Sequence, residues 1–469
     1  MNKLGLYIFF ILFTSPAWAT TYYLAPAAGG GNDSNSGTSA TSPWLTPNHP
    51  VNCGDVILAA ASTAYSNQNF AAGNWGTVSC PGGNNVAWLK CATFDTCKIT
   101  AQDSFSGMWV DQSYWGVQGW EVTTTTGPYA ICFMAVPNYN KPTQIHHIIF
   151  ANNVANGCEG GGFNSANDGN VSGDYLAFVG NIAYNTAHGN GSCDSAFSIY
   201  EPAQSDNLPG THVYISGNFA WNNVDGNPCN GGQPTDGEGV ILDTLSALGY
   251  AAQVVVQNNI VFLNGGKGIQ TFLNSSAKVF IKSNTIYGNN GDANQNYTSC
   301  GELNVSNSSL VDESYNLVAT NSAAGCGLNP IYALSVLGGD DTDSVYNNFA
   351  FSANGQNSVA ASSGSFAFSS SNTLGTSPSF ANPVSPGAPN CGNSSSVPNC
   401  MGTVIANFTP KTASAKAYGY QVPNATQASD PLFPQWLCNV NLPPGLVTMG
   451  CVSASSVPAP PIVTGVTVK

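Results

Sequence analysis

Charged side chains make up only 7% of this sequence, against about 25% in an average globular protein. Yet residues 225–272 hold Asp225, Asp236, Glu238, Asp243 and Lys267. Clustered carboxylates hold Ca²⁺ through oxygen ligands. A lysine beside them can have its pKa altered and serve as a base. Two carboxyls can instead be the acid and the base of glycoside cleavage. The plainer alternative is a salt bridge between Glu238 and Lys267, with the aspartates capping turns. Two aromatic residues near the group, Tyr200 and Phe272, are candidates for contact with the apolar face of a sugar. His188, in the polar stretch AHGNGSCD (187–194), is a candidate proton shuttle or substrate contact. A solvated loop histidine is the simpler reading of it.

The elements that must position these residues are repeats. The pattern of an apolar residue, two spacers, an Asn and then alternating apolar positions appears in IIFANNVAN (148–156), YLAFVGNIAYN (175–185), VYISGNFAWNN (213–223), VVVQNNIVFLN (254–264) and VFIKSNTIYGN (279–289). Weaker copies are SYNLVATN (314–321) and VYNNFAFSAN (345–354). The shared residues are Asn153, Asn181, Asn218, Asn259, Asn284, Asn316 and Asn348, at intervals of 25 to 41 residues. Alternation of this kind marks half-buried strands, and a period of 20–50 residues marks a solenoid or propeller. The uneven intervals favour constant coils with inserted loops over propeller blades. One Asn per coil predicts an internal amide ladder, with coils about 4.8 Å apart. Aligning coils on a small residue followed by an apolar one pairs Gly162-Phe163, Ala196-Phe197, Gly239-Val240 and Gly268-Ile269. This places Ser195, Glu238 and Lys267 in one column, with Glu238 and Lys267 one coil apart. Asp194 and Asp236 fall close to that column, and Asp243 ends the Glu238 strand.

The fold class expected is therefore all-β, a parallel β-helix of single strands per face with a loop-rich C-terminal region. Lys3, the apolar run Leu4–Phe13 and Ala17-Trp18-Ala19 read as a cleaved signal peptide over 1–19. The solenoid is expected over 20–355, last coils and a cap over its open end over 356–451, and a poorly ordered tail over 452–469. Fourteen cysteines without a Cys-x-x-Cys pair point to disulfides rather than zinc. Cys91–Cys97, Cys391–Cys400 and Cys438–Cys451 are the short-loop candidates. A net charge of −14 and the lack of any arginine exclude a basic groove for nucleic acid. They also remove the usual bidentate clamp for an anion. No segment beyond the signal is apolar enough to span a membrane, so a secreted or periplasmic monomer is expected.

The stretch TYYLAPAAGGGNDSNSGTSATSPWLT (21–46) resembles the opening segment of secreted right-handed parallel β-helix (pectin-lyase-like) proteins, among them family-nine pectate lyases. GDVILAAAS (54–62) resembles the first-coil strand that follows it. In that family an Asp-Asp-Gly-aromatic-Asp run binds calcium and a later Lys is the base. Asn223-Val224-Asp225-Gly226 resembles the start of the run, and Lys267 looks like the base. The contiguous Asp pair is absent, and the family's Lys follows a Gly-aromatic pair whereas Lys267 precedes Gly268. The resemblance implies a calcium-assisted polysaccharide lyase. Asp236, Glu238 and Asp243, with Asp225, would hold Ca²⁺, and Lys267 would abstract the proton that starts β-elimination on a uronate. The alternatives are an inverting glycoside hydrolase using two of Asp236, Glu238 and Asp243, and a non-catalytic β-helix that binds glycans.

Overall fold

The seven asparagines stack. In the computed structural model, the backbone N–H of each donates to Oδ1 of the next over 2.8–3.0 Å, running from Asn153 to Asn348 and ending on Asn372. Each side-chain amide donates to the same oxygen over 2.9–3.2 Å. It also donates to a backbone carbonyl of the preceding coil, such as Val117, Phe178 or Val256. The residue before each ladder asparagine has a left-handed backbone: Asn152, Gly180, Gly217, Asn258, Ser283, Tyr315 and Asn347. That turn bends the chain from one sheet to the next, and the ladder satisfies polar groups that the bend would otherwise bury unpaired.

The structure describes residues 19–442, leaving aside 84, 102–105, 125–129, 141–142, 168, 190–192, 226–234, 296–299, 322–330, 354–356, 362–365, 422–429, 431 and 441. The expected signal segment, bar Ala19, and the tail lie outside the described residues. The fold is a right-handed parallel β-helix. Among the described residues, its three long sheets hold eleven, eleven and nine strands, with parallel pairing between neighbouring coils. One coil runs from Thr211–Ser216 in the first sheet, through Phe219–Trp221 in the second, to Val240–Asp243 in the third. The interior is filled by stacked rows, such as Phe133–Phe163–Phe197 with ring centroids 4.7 and 5.0 Å apart.

A second ladder runs beside the first. The backbone N–H groups of Thr186, Asn223 and Asn264 donate to Oδ1 of Asn223, Asn264 and Asn289 in turn. Asn289 ends the ladder on Oε2 of Glu302, through its N–H at 3.0 Å and its Nδ2 at 2.7 Å. Its members lie five residues after Asn181, Asn218, Asn259 and Asn284, at the far end of the second-sheet strands.

Strands continue to Thr373–Leu374, in the stretch assigned to the last coils. The segment after them differs from the expected end cap. Its described part is a strap along the flank. Val397, Met401, Val404 and Phe408 pack on Ile182, Phe219, Trp221 and Phe262 of the second sheet. Phe433, Trp436 and Leu437 pack on Ala177, Tyr214 and Val255 of the first. The physical reason lies in those strands, whose outward faces are apolar as well and need cover along the flank. Cys53–Cys80, Cys91–Cys97, Cys132–Cys158 and Cys391–Cys400 are bonded. Cys193, Cys300 and Cys438 are disulfide-bonded too. Cys451 lies outside the described residues. Among the described residues no helix is long and apolar enough to cross a membrane.

Candidate functional site

The third sheet carries the candidate residues. Strand alternation sends Phe197, Ile199, Val240, Leu242 and Ile269 into the core and leaves the residues between them facing outward. Two outward rows result from the register. Asn164, Ser198, Ile241, Gln270 and Asn304 form one, and Tyr200, Asp243, Phe272 and Ser306 the other. A cleft of about 470 Å³ opens over these rows, with Tyr200, Asp243 and Phe272 on one side and Ser198, Ile241 and Gln270 beside them. Thr235, Asp236, Lys267 and Cys193 complete its lining.

The small-residue column is a packing requirement. A Cβ on Gly239 would come within 2.0 Å of Val261 Cγ1, where the third sheet crowds the second. This fixes the residue before it, Glu238, directly beside Lys267 of the next coil. Lys267 Nζ lies 3.3 Å from Glu238 Oε1, and both side chains are buried. Ser195, one coil earlier, donates its hydroxyl to Glu238 Oε2 over 2.9 Å. The expected column Ser195–Glu238–Lys267 is thus a chain of contacts.

Asp236 sits at the cleft edge of this pair, with Oδ2 accepting from Thr235 Oγ1 over 3.0 Å. Gln295 Nε2 holds its backbone carbonyl. Gly237 makes the turn between Asp236 and Glu238. Its φ is +84°, and a Cβ there would lie 2.6 Å from the Asp225 amide nitrogen. Burial, followed by the charge of Glu238, pushes the Asp236 carboxyl well above the usual carboxylate range. Asp225 lies fully buried beneath the turn. Burial raises it to about 7, with Glu238 and Asp194 adding to the effect and backbone groups of Asp236 and Thr235 pulling back. Neither of its oxygens meets hydrogen-bond geometry among the described residues. Asp243 is also raised, by burial first and then by Glu238 and Glu201, while its bond from Thr244 opposes the shift. Burial and Glu201 push the Tyr200 hydroxyl up to about 12.

The cleft therefore gathers Asp236, Asp243, Lys267, Tyr200 and Phe272, with Glu238 behind them. Asp225 lies under the floor rather than in the lining. His188 is exposed and is not among the cleft residues. Ser198, Ile241 and Gln270 had no chemical signal of their own, although extending the column alignment by two residues would have found them. Gln270 follows the Gly-apolar pair, the position at which the family's lysine was expected. Gly226, in the run compared with the family's calcium motif, lies outside the described residues.

The calcium expectation can be tested on the donors. Glu238 has one oxygen beside an ammonium and the other accepting from Ser195. Asp243 accepts from the Thr244 hydroxyl. Among the described residues no group of three His, Cys, Asp or Glu side chains has the geometry to hold a metal ion. The Lys267 ammonium beside Glu238 disfavours a cation at that carboxylate.

No family model matches the chain, and no curated protein matches it. Several solved β-helix structures do. A pectate lyase, Pel9A, aligns with a TM-score of 0.42 at 20% identity, over 70% of this chain and 78% of that one. The GH136 lacto-N-biosidase of Eubacterium ramulus aligns at 0.36 and 12% identity, over 76% and 68%. The A-module of the Azotobacter vinelandii mannuronan C-5 epimerase AlgE6 aligns at 0.31 and 12% identity, over 68% and 90%.

Proposed function

We propose that this chain is an exported enzyme that cleaves a glycan by carboxyl acid–base catalysis in the third-sheet cleft. The observation that carries the reading is the unequal pair of carboxyls in one lining. Burial and the Glu238 charge raise the Asp236 carboxyl and favour its protonated form, while Asp243 lies in the outer row between Tyr200 and Phe272. Asp236 would donate its proton to the glycosidic oxygen. Asp243 would take a proton from the water that attacks the anomeric carbon, and the bond to the leaving sugar would break. Tyr200 and Phe272 would stack on the sugars either side. Glu238 is a positioning residue whose charge holds the Asp236 proton, and Lys267 compensates that charge. Export to an oxidising compartment belongs to the proposal and is supported by the disulfides.

A second reading, β-elimination on a uronate with Lys267 as base, is favoured by the presence of Lys267 in the lining. It requires Lys267 to leave Glu238. Product chemistry separates the two. Acid–base hydrolysis releases reducing ends without a double bond, unchanged by chelator. Asp236→Asn and Asp243→Asn each lower kcat by about 10² to 10⁴. Unsaturated uronyl products would replace this proposal with the second reading. Glycan binding without any cleavage would mark the non-catalytic alternative.

A further inference from the structure

The cleft's charge balance bears on which glycans enter it. The carboxyls of Asp225, Asp236, Glu238 and Asp243 sense one another, and Asp194 and Glu201 join them from the preceding coil. Lys267 is the one described ammonium beside them and contacts Glu238, so with Asp236 protonated the charge left at the cleft is that of Asp243 and its neighbour Glu201. No other described lysine lies on this sheet. Lys90, Lys278 and Lys282 lie on or beside first-sheet strands. Lys98 belongs to the second sheet, beside Glu121. Lys411 and Lys416 belong to the strap. The chain has no arginine. The remaining surface of the cleft is neutral: Ser198, Ile241, Gln270, Tyr200, Phe272 and Thr235.

We infer that the cleft takes a non-anionic glycan, one whose bound sugars carry neither carboxylate nor sulfate, and turns polyuronates away. The inference rests on reading the cleft as a glycan site. A sugar carboxylate docked here would face Asp243, and the one described lysine in the lining, Lys267, is held against Glu238. One unit charge about 6 Å from another changes binding about a hundredfold at an effective dielectric of 20.

Matched polymers test it on the full chain. Polygalacturonate and alginate are each compared with their carboxyl-reduced forms, in which the same backbone carries hydroxymethyl groups. Binding is read by affinity electrophoresis and cleavage by reducing-end release, at low and high salt, with and without calcium. The expected result is a preference of about a hundredfold or more for a carboxyl-reduced form, narrowing as salt screens the cleft. Glu201→Gln is expected to narrow that preference at low salt. Tighter binding or faster cleavage of either uronate form, with or without calcium, would overturn the inference and leave the glycan reading standing. A binding preference without cleavage would uphold it and overturn the hydrolytic proposal. If no polymer of either pair binds, the glycan reading and this inference fall together.

Discussion

Replacing Glu302 by Gln should make the protein far less sensitive to alkali. Glu302 is fully buried at the end of the second ladder. Its Oε2 accepts from Asn289, while Oε1 has no hydrogen-bond partner among the described residues. Burial raises its pKa from 4.5 to about 8, against the opposing pull of the Asn289 bonds. A carboxyl raised in the folded state binds more protons folded than unfolded between those two values. Its contribution is therefore fully favourable below about 4.5 and is lost as pH rises towards 8. Linkage over that interval gives a loss on the order of 4 kcal/mol between about pH 5 and pH 9. The amide of the Glu302→Gln variant would keep the acceptor for Asn289 and carry no charge at any pH. Denaturant unfolding of both proteins with disulfides intact, at about pH 5 and pH 9, measures the effect. The wild type should lose about 4 kcal/mol more than Glu302→Gln across that range, and the two should agree within about 1 kcal/mol at the acid end. Equal pH dependence in both proteins would refute the reasoning.

Asn259→Leu deprives the Asn218 N–H and side-chain amide of their acceptor and the Ile215 carbonyl of a donor. It should cost on the order of 4 kcal/mol in denaturant unfolding. Lys267→Met leaves Glu238 buried beside no cation and should destabilise by about 3–5 kcal/mol, whereas Glu238→Gln/Lys267→Met should recover most of that loss. Equal stabilities of the single and double variants would contradict the assigned pair. Hydrolysis needs Asp243 ionised and Asp236 protonated. Since both are raised, both limbs of the rate profile should lie above the ordinary carboxylate range. Glu238→Gln removes a charge that raises both groups, so the limbs should move to lower pH in a kcat/KM profile.

Much of the solenoid was legible because a ladder needs the same side chain at the same place in each coil. Asn153 through Asn348 announced themselves despite intervals of 25 to 41 residues. The column alignment placed Glu238 beside Lys267 for a similar reason. Gly239 and Gly268 are small because each faces a second-sheet side chain, Val261 or Ile286. The second ladder was there to be read as an offset of five from the first. It went unseen because one end member is Thr186 and the other is Glu302, which breaks the Asn pattern. His147 and His212 carried no signal along the chain, yet they stack alternately with Tyr114 and Tyr175. Periodicity within one strand does not reveal stacking across coils when the residue type changes. The place of the strap is not legible, because apolar content says that a segment is buried, not where. The carboxyl chemistry was least legible, since burial and mutual charge depend on how closely Asp236 and Asp225 approach in space.

The strap touches rungs far apart along the axis. Val397 N–H reaches Asn152, Tyr420 N–H reaches Thr285 and Gly419 N–H reaches the Tyr315 carbonyl. A stack of coils in which each holds only its neighbours unzips from its ends, one repeat at a time. A brace running along the axis from Asn152 to Tyr315 removes that freedom from the coils it bridges, because no bridged rung can peel away without lifting the brace from the others. The bridged coils should therefore unfold together rather than one by one, and the cleft-bearing coils lie within the braced span.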